Sequence, residues 1–235
     1  MGHVFFAPDI LTRQELPLEE SQHCIRVLRL QEGDEILVSD GCGHLVSALI
    51  VEAHPKHCRL KILNTNIQEA TWSQFIHIAM APTKNMDRNE WFVEKATEIG
   101  INKISFLNCR FSERKEIKIT RIEKILVAAM KQSLKAVLPK VEGIINFDKF
   151  IQEPFEGQKF IAHCHCQEKE NLCKAYKPQE NVLILIGPEG DFSEAEVEKA
   201  NAQGFQSISL SHSRLRTETA ALNACQTIHI VNDMS

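Results

Sequence analysis

The spacing of apolar positions changes character about a third of the way along the chain. Up to about residue 68 the pattern alternates with a period of two. "DEILVSDG" closes on Asp40-Gly41, a strong turn signal, and "HLVSALIVEA" follows; beyond "HPKH" comes a third alternating run, "CRLKILN". One stretch breaks the alternation. "LEESQHCIRVLRLQEGD" predicts a short helix with Cys24, Val27 and Leu28 on its apolar side and His23, Arg26 and Arg29 projecting together at spacings of three. Short strands joined by tight turns predict a small β-barrel over this part.

From about residue 74 strands and helices alternate. "FIHIAMAP", "KISFL", "KFIAHC", "NVLILI" and "SISLS" read as strands. Between them "DRNEWFVEKATEIG" predicts a helix capped by Asp87 and stopped by Gly100, and "TRIEKILVAAMKQSLKAVLP" one capped by Thr120 and running to Pro139. Another runs from Ser193, in a capping box with Glu196, to Gln203, and the last starts near Glu218. Such alternation predicts an α/β domain with a parallel sheet covered on both faces. The polar stretch Asn64 to Ser73 is the expected linker, giving domains 1–70 and 71–235. Ligands of open α/β sheets sit beyond the carboxyl ends of strands. That rule singles out the loops "APTKNMDR", "GPEGD" and "SHSRLRTE". None carries a dinucleotide fingerprint or a P-loop lysine, which excludes those cofactor classes.

Composition adds limits. The 235 residues carry a net charge of −4 and are 43% hydrophobic. No apolar run is long enough to span a membrane, and "MGHVFFAPDILTRQE" lacks the order of a signal peptide, so a cytoplasmic location is expected. The eight cysteines are expected to be reduced there. His163, Cys164, His165 and Cys166, with Cys173 nearby, lack the spacing of a zinc site and read as the end of a strand, so no metal is expected. Charge is uneven: between Arg110 and Lys140 nine basic residues face three glutamates. That run suits a phosphate backbone as well as a solvated helix face.

The stretch "NVLILIGPEGDFSEAEVEKA" has the strand, glycine turn and helix start that often cradle phosphate. Yet Glu189, Asp191, Glu194 and Glu196 would repel one. An acidic rim tolerates a neutral nucleoside or a cation, a description that S-adenosyl-L-methionine fits.

"LILIGPEGDFSEAEVEKA" followed by "ISLSHSRLRTETAAL" resembles the paired signatures of the RsmE family, the 16S rRNA uracil-N(3)-methyltransferases of the SPOUT superfamily. "HVFFAPD", "HCIRVLRLQEGDEILVSDGCG", "PTKNMDRNEWFVEKATEIGI", "NCRFSER" and "AAMKQSLKAVLP" are similar to further family segments, in the family's order, so the resemblance covers nearly the whole chain. It departs from the pattern at Ser211 and Ser213, which stand for an expected Gly and Arg. Lys131 replaces an acid, and Lys135 stands for an arginine.

The resemblance implies a PUA-like barrel followed by a methyltransferase domain with a trefoil knot, working as a homodimer on 16S rRNA or the assembled small subunit. Residues implied to hold S-adenosyl-L-methionine are Ile186, Gly187, Pro188, Gly190, Leu210, Ser211, Leu215, Arg216 and Thr217. Methylating a ring nitrogen needs a base and a cation facing the uracil anion: Arg216 is the expected cation, and Glu189 or Glu218 the expected base. His23, Arg26, Arg29, Lys84, Arg88 and Arg110 are the expected RNA contacts. The alternative from another class is a non-catalytic RNA-binding protein that retains the fold.

Overall fold

Residues 3–165 and 168–235 are described by the structure, a computed structural model, and Cys166 therefore lies outside the described residues. Contacts divide the chain into two units, Met1–Thr71 with Val127–Leu138, and Trp72–Leu126 with Pro139–Ser235.

In the first unit β1 (Val4–Phe6) pairs in parallel with β2 (Glu35–Ser39), which is followed by antiparallel β3 (His44–Glu52) and β4 (Arg59–Ile67). Between β1 and β2 lie α1 (Ile10–Arg13) and α2 (Leu18–Gln22). Gln14 to Leu16 cover the free edge of β4: Leu16 N donates to Cys58 O and Leu60 N to Gln14 O. Covering an edge removes a row of unpaired amides. The core gathers Phe5, Ile10, Leu16, Val38, Val46 and Ile50. Because β4 runs to Ile67, the first four residues of the expected linker are strand.

The segment expected to be a simple amphipathic helix continues from α2 as a π-helical turn, His23–Val27. Its wider winding shifts the side chains that follow. Cys24 is fully buried and Leu28 packs on the core, but Val27 is 68% exposed, a correction to the predicted apolar side.

The second unit holds β5 (Ile76–Met80), α3 (Met86–Ile99), β6 (Lys103–Asn108), α4 (Ile119–Gln132, whose last turns belong to the first unit), β7 (Lys140–Asn146) and α5 (Phe147–Phe150). Then come β8 (Gln158–Ala162), β9 (Glu170–Asn171), α6 (Leu172–Ala175), β10 (Val182–Ile186), α7 (Glu194–Ala202), β11 (Gln206–Ser209) and α8 (Thr217–Asp233). The sheet is parallel throughout, in the order β7-β6-β5-β10-β8-β11-β9. All five residues of β5 and of β10 are buried, as central strands covered on both faces require. One face packs on α5 and α7 through Phe147, Phe150, Phe192 and Val197. On the other, α8 lies against β5, β10 and α3.

Five expectations change here. The cap of α3 is Asn85, whose side chain accepts from Asp87 N, and not Asp87. Thr120 lies inside α4, which ends at Gln132, well short of Pro139. It stops in a Schellman arrangement: Leu134 N donates to Lys131 O and Lys135 N to Met130 O, with Leu134 at φ 56°. β7, absent from the predicted strands, forms the sheet edge. β8 ends at Ala162, so His163 to His165 are loop and not strand.

Candidate active site

The strand order places the site. β8 lies between β10 and β11, so the loops leaving the carboxyl ends of these three strands emerge side by side. With Arg88 of α3 and the first turn of α8 they enclose a cavity of about 740 Å³, the size of a small-molecule site.

The loop after β10 explains its carboxylates one by one. Glu196 closes the capping box on Ser193 with one oxygen, and its other accepts from Arg110 N at 2.8 Å. Asp191, at a left-handed φ of 66°, accepts from Cys164 N at 2.7 Å and from Phe192 N at 2.8 Å. Glu189 accepts from Lys84 N at 2.9 Å, tying this loop to the one after β5. Three of the four acids therefore fasten backbone amides, a task that needs no ligand. Glu189 and Asp191 nevertheless present their charge to the cavity. Gly187 and Gly190 also serve the protein interior. A Cβ on Gly187 would come within 3.1 Å of Phe192, and one on Gly190 within 3.1 Å of Phe111 Cβ.

The loop after β8 forms the opposite wall. Lys169 Nζ donates at 2.7 Å to the carbonyls of His163 and His165, supplying the partners that a neighbouring strand would have given. His165 Nε2 lies 2.7 Å from Phe192 O. His163 is buried, and burial together with the Lys169 ammonium pushes its pKa down to about 4, so it is neutral near pH 7. Among the described residues no cluster of three His, Cys, Asp or Glu side chains is placed to hold a metal.

The third wall, Leu210 to Thr217, leads into α8. Arg216 is its N-cap residue, exposed, and among the described residues it has no carboxylate in ion-pair range. Glu218 is buried in the first turn of α8. Its Oε1 lies 3.6 Å from Arg88 Nε, and its Oε2 is buried without a hydrogen-bond partner.

Of the residues expected to hold the cofactor, Ile186, Gly187, Pro188, Leu210, Ser211, Leu215, Arg216 and Thr217 line the cavity together with Glu189; Gly190 and Glu218 do not. Arg88, expected on RNA, is a cavity residue held by Glu218. Lys84 pairs with Glu113 at 2.9 Å on the surface, and the Arg110 guanidinium lies over the Phe111 ring. His23, Arg26 and Arg29 are exposed on the first unit. Sequence reasoning missed the wall of His163, Cys164, His165 and Lys169. The polar residues after "KFIA" were its signal, but only the strand order brings them to β10.

The fold and the cavity define an α/β protein with a nucleoside-sized pocket at the carboxyl end of a parallel sheet, joined to a small β-rich unit. Residues 70–229 match the model of an RNA methyltransferase domain and residues 16–63 that of an RNA methyltransferase PUA domain. The chain belongs to this RNA methyltransferase family. Ribosomal RNA small subunit methyltransferase E of Mesomycoplasma hyopneumoniae is 34% identical over 84% of this chain and 86% of its own. The "probable rRNA-methyltransferase" of Porphyromonas gingivalis superposes with a TM-score of 0.94 at 42% identity, covering 99% of each chain. Ribosomal RNA small subunit methyltransferase E of Neisseria gonorrhoeae, solved bound to S-adenosyl methionine, shares the fold at 24% identity, with a TM-score of 0.86 over 98% of each chain. The RsmE resemblance read from the motifs and these relatives agree.

Proposed function

We propose that this chain transfers the methyl group of S-adenosyl-L-methionine to N(3) of one uridine in 16S rRNA, free or within the small subunit. The observation that carries the reading is the cavity. Two of its three walls come from the motifs that the resemblance singles out, and its lining joins apolar residues (Ala162, Ile186, Ile208, Leu215) to charges of both signs, Glu189 and Asp191 together with Arg88, Lys169, Arg214 and Arg216. An adenosine moiety fits the apolar part, and a sulfonium is favoured beside two carboxylates. The relatives support the same substrate class.

Bound there, S-adenosyl-L-methionine supplies a methyl carbon on a positively charged sulfur, an electrophile with a neutral leaving group. The protein's work is to hold, orient and deprotonate. Ile186, Gly187, Pro188, Leu210, Ser211, Leu215 and Thr217 hold the cofactor against the ends of β10 and β11. Glu189, fixed through Oε1 by Lys84 N, has its second oxygen for the N(3) proton. The Arg216 guanidinium, which has no carboxylate in ion-pair range among the described residues, faces the negative charge that develops on the uracil oxygens. Glu218 lies behind the wall and acts by holding Arg88. His23, Arg26, Arg29, Lys84 and Arg110 contact the RNA backbone, which positions the substrate without reading its sequence. The trefoil threading and the homodimer belong to this reading. The apolar face of α8 (Ala221, Ala224, Cys225 and Ile228) is fully buried within its own unit and lends the pairing no support.

The test is incubation with labelled S-adenosyl-L-methionine and small subunits from a strain lacking this gene, followed by mass spectrometry of the digested rRNA. One new uridine methylated at N(3) is expected. A methyl group on ribose or on a ring carbon, or none, overturns the reading.

A further inference from the structure

We propose that Phe111 is a stacking platform for an unpaired RNA base beside the methylated nucleotide, an inference that rests on the RNA methyltransferase reading above. Phe111 sits in the turn after β6 with 47% of its surface exposed. A single exposed apolar residue is ordinary. This one is held in place from three sides. Ser112 N donates to Cys109 O at 3.1 Å and Cys109 N to Ser112 Oγ at 3.0 Å, which closes the turn. Arg110 N donates to Glu196 at the start of α7, which fastens the turn to the cofactor loop's helix. On its inner side Phe111 meets Gly190, where an added methyl group would stand 3.1 Å from Phe111 Cβ. The residues flanking Gly190, Glu189 and Asp191, line the cavity, so the ring is mounted on the outside of the loop that forms the pocket wall.

The surroundings select the partner. The Arg110 guanidinium carbon lies 5.5 Å from the ring centroid, and both residues are exposed. An aromatic face joined to a guanidinium is how proteins hold single-stranded bases and the phosphates next to them. A protein partner calls instead for a contiguous apolar patch, whereas Arg110 over the ring, and Glu113 and Lys115 close by in the sequence, are charged and exposed. A uridine that leaves its stack to reach the cavity also strips a neighbouring base of its stacking partner. A ring carried on a fixed turn behind the cavity loop replaces that partner and holds the strand open.

The experiment compares Phe111→Ala, Phe111→Leu and Phe111→Trp. It measures affinity for a small-subunit rRNA transcript, methyl transfer to small subunits, and S-adenosyl-L-methionine affinity by calorimetry. Stacking predicts that Ala and Leu each weaken RNA binding about tenfold or more, that Trp recovers most of the loss, and that cofactor affinity stays within about twofold. A Leu variant that binds RNA like the native chain overturns the proposal. So does a fall in cofactor affinity in step with RNA affinity, which would make the ring a brace for Gly190. A shift of the Ala variant to a smaller species in sedimentation would assign the ring to a contact between copies and also overturn it. If the native chain binds the transcript through Phe111 but transfers no methyl group, the methylation reading fails and the platform stands.

Discussion

At the scale of single residues, the site separates groups that hold the architecture from groups left free to act. Glu196, Asp191 and Lys169 are saturated with backbone partners. Arg216 is not: it is exposed, lines the cavity and has no ion-pair partner among the described residues. A guanidinium that only braced the fold would be buried and paired, and its loss would cost stability. Arg216→Ala is therefore expected to leave the melting temperature within about 1 °C, since surface changes away from such pairs alter stability little. The same change should lower kcat about a hundredfold, the usual cost of removing one group that stabilises a developing anion. Thermal unfolding and single-turnover methyl transfer on the same preparation check both halves. A large drop in melting temperature would return Arg216 to a structural role.

Among the elements, those with a local signature were legible in the sequence. β10 announces itself as an uninterrupted apolar run, β5 as one broken only by His77, and α7 through the Ser193–Glu196 capping box, because each signal lies within a few residues. β7 was not legible: "KVEGIIN" places Lys, Glu and Gly in a half-buried edge strand, where neither alternation nor a continuous run survives. One wall of the site shares that fate. The walls at Gly187 and at Leu210 to Thr217 follow from motifs, but the His163 wall exists because β8 inserts between β10 and β11, a non-local pairing that no window of sequence encodes. The end of α4 was hidden for a third reason, since its stop is a leucine where glycine is usual. That exception gives a prediction. Leu134 holds φ 56° with 40% of its surface exposed, so only part of its side chain's burial is set against the cost of a left-handed backbone. Leu134→Gly should stabilise the protein by about 0.5–1 kcal/mol, the relieved strain exceeding the extra chain entropy that glycine loses on folding. Urea unfolding measures it, and a lower midpoint would show that leucine packing outweighs the strain.

For the whole molecule, the buried polar chain crossing the larger sheet sets how stability depends on pH. Ser105 Oγ donates its one proton to Glu142 at 2.7 Å, so His77 Nε2, 2.8 Å away, must donate to Ser105. The neutral ring at pH 7 therefore carries its proton on Nε2. Burial, reinforced by the Lys103 charge, pushes its pKa down to about 3, against 6.5 for the free side chain. Below pH 6.5 the unfolded chain takes up a proton at His77 while the folded chain does not. Stability is then fully present above about pH 6.5 and falls as the pH drops toward 3, by up to about 1.4 kcal/mol per unit. Glu142 adds to the loss in acid: burial pushes its pKa up, but its ion pair with Lys103 and its bond from Ser105 together outweigh that and hold it below the ordinary value. Replacing His77 by Leu removes the first contribution and leaves the second, since Ser105 can still donate to Glu142. Following the unfolding of the larger unit in urea at pH 7, 6 and 5 separates them. The native chain should lose stability over this range, and the His77→Leu variant should lose distinctly less per unit. Parallel slopes would mean that His77 titrates alike in the folded and unfolded chain, and the buried donor assigned to it would be wrong.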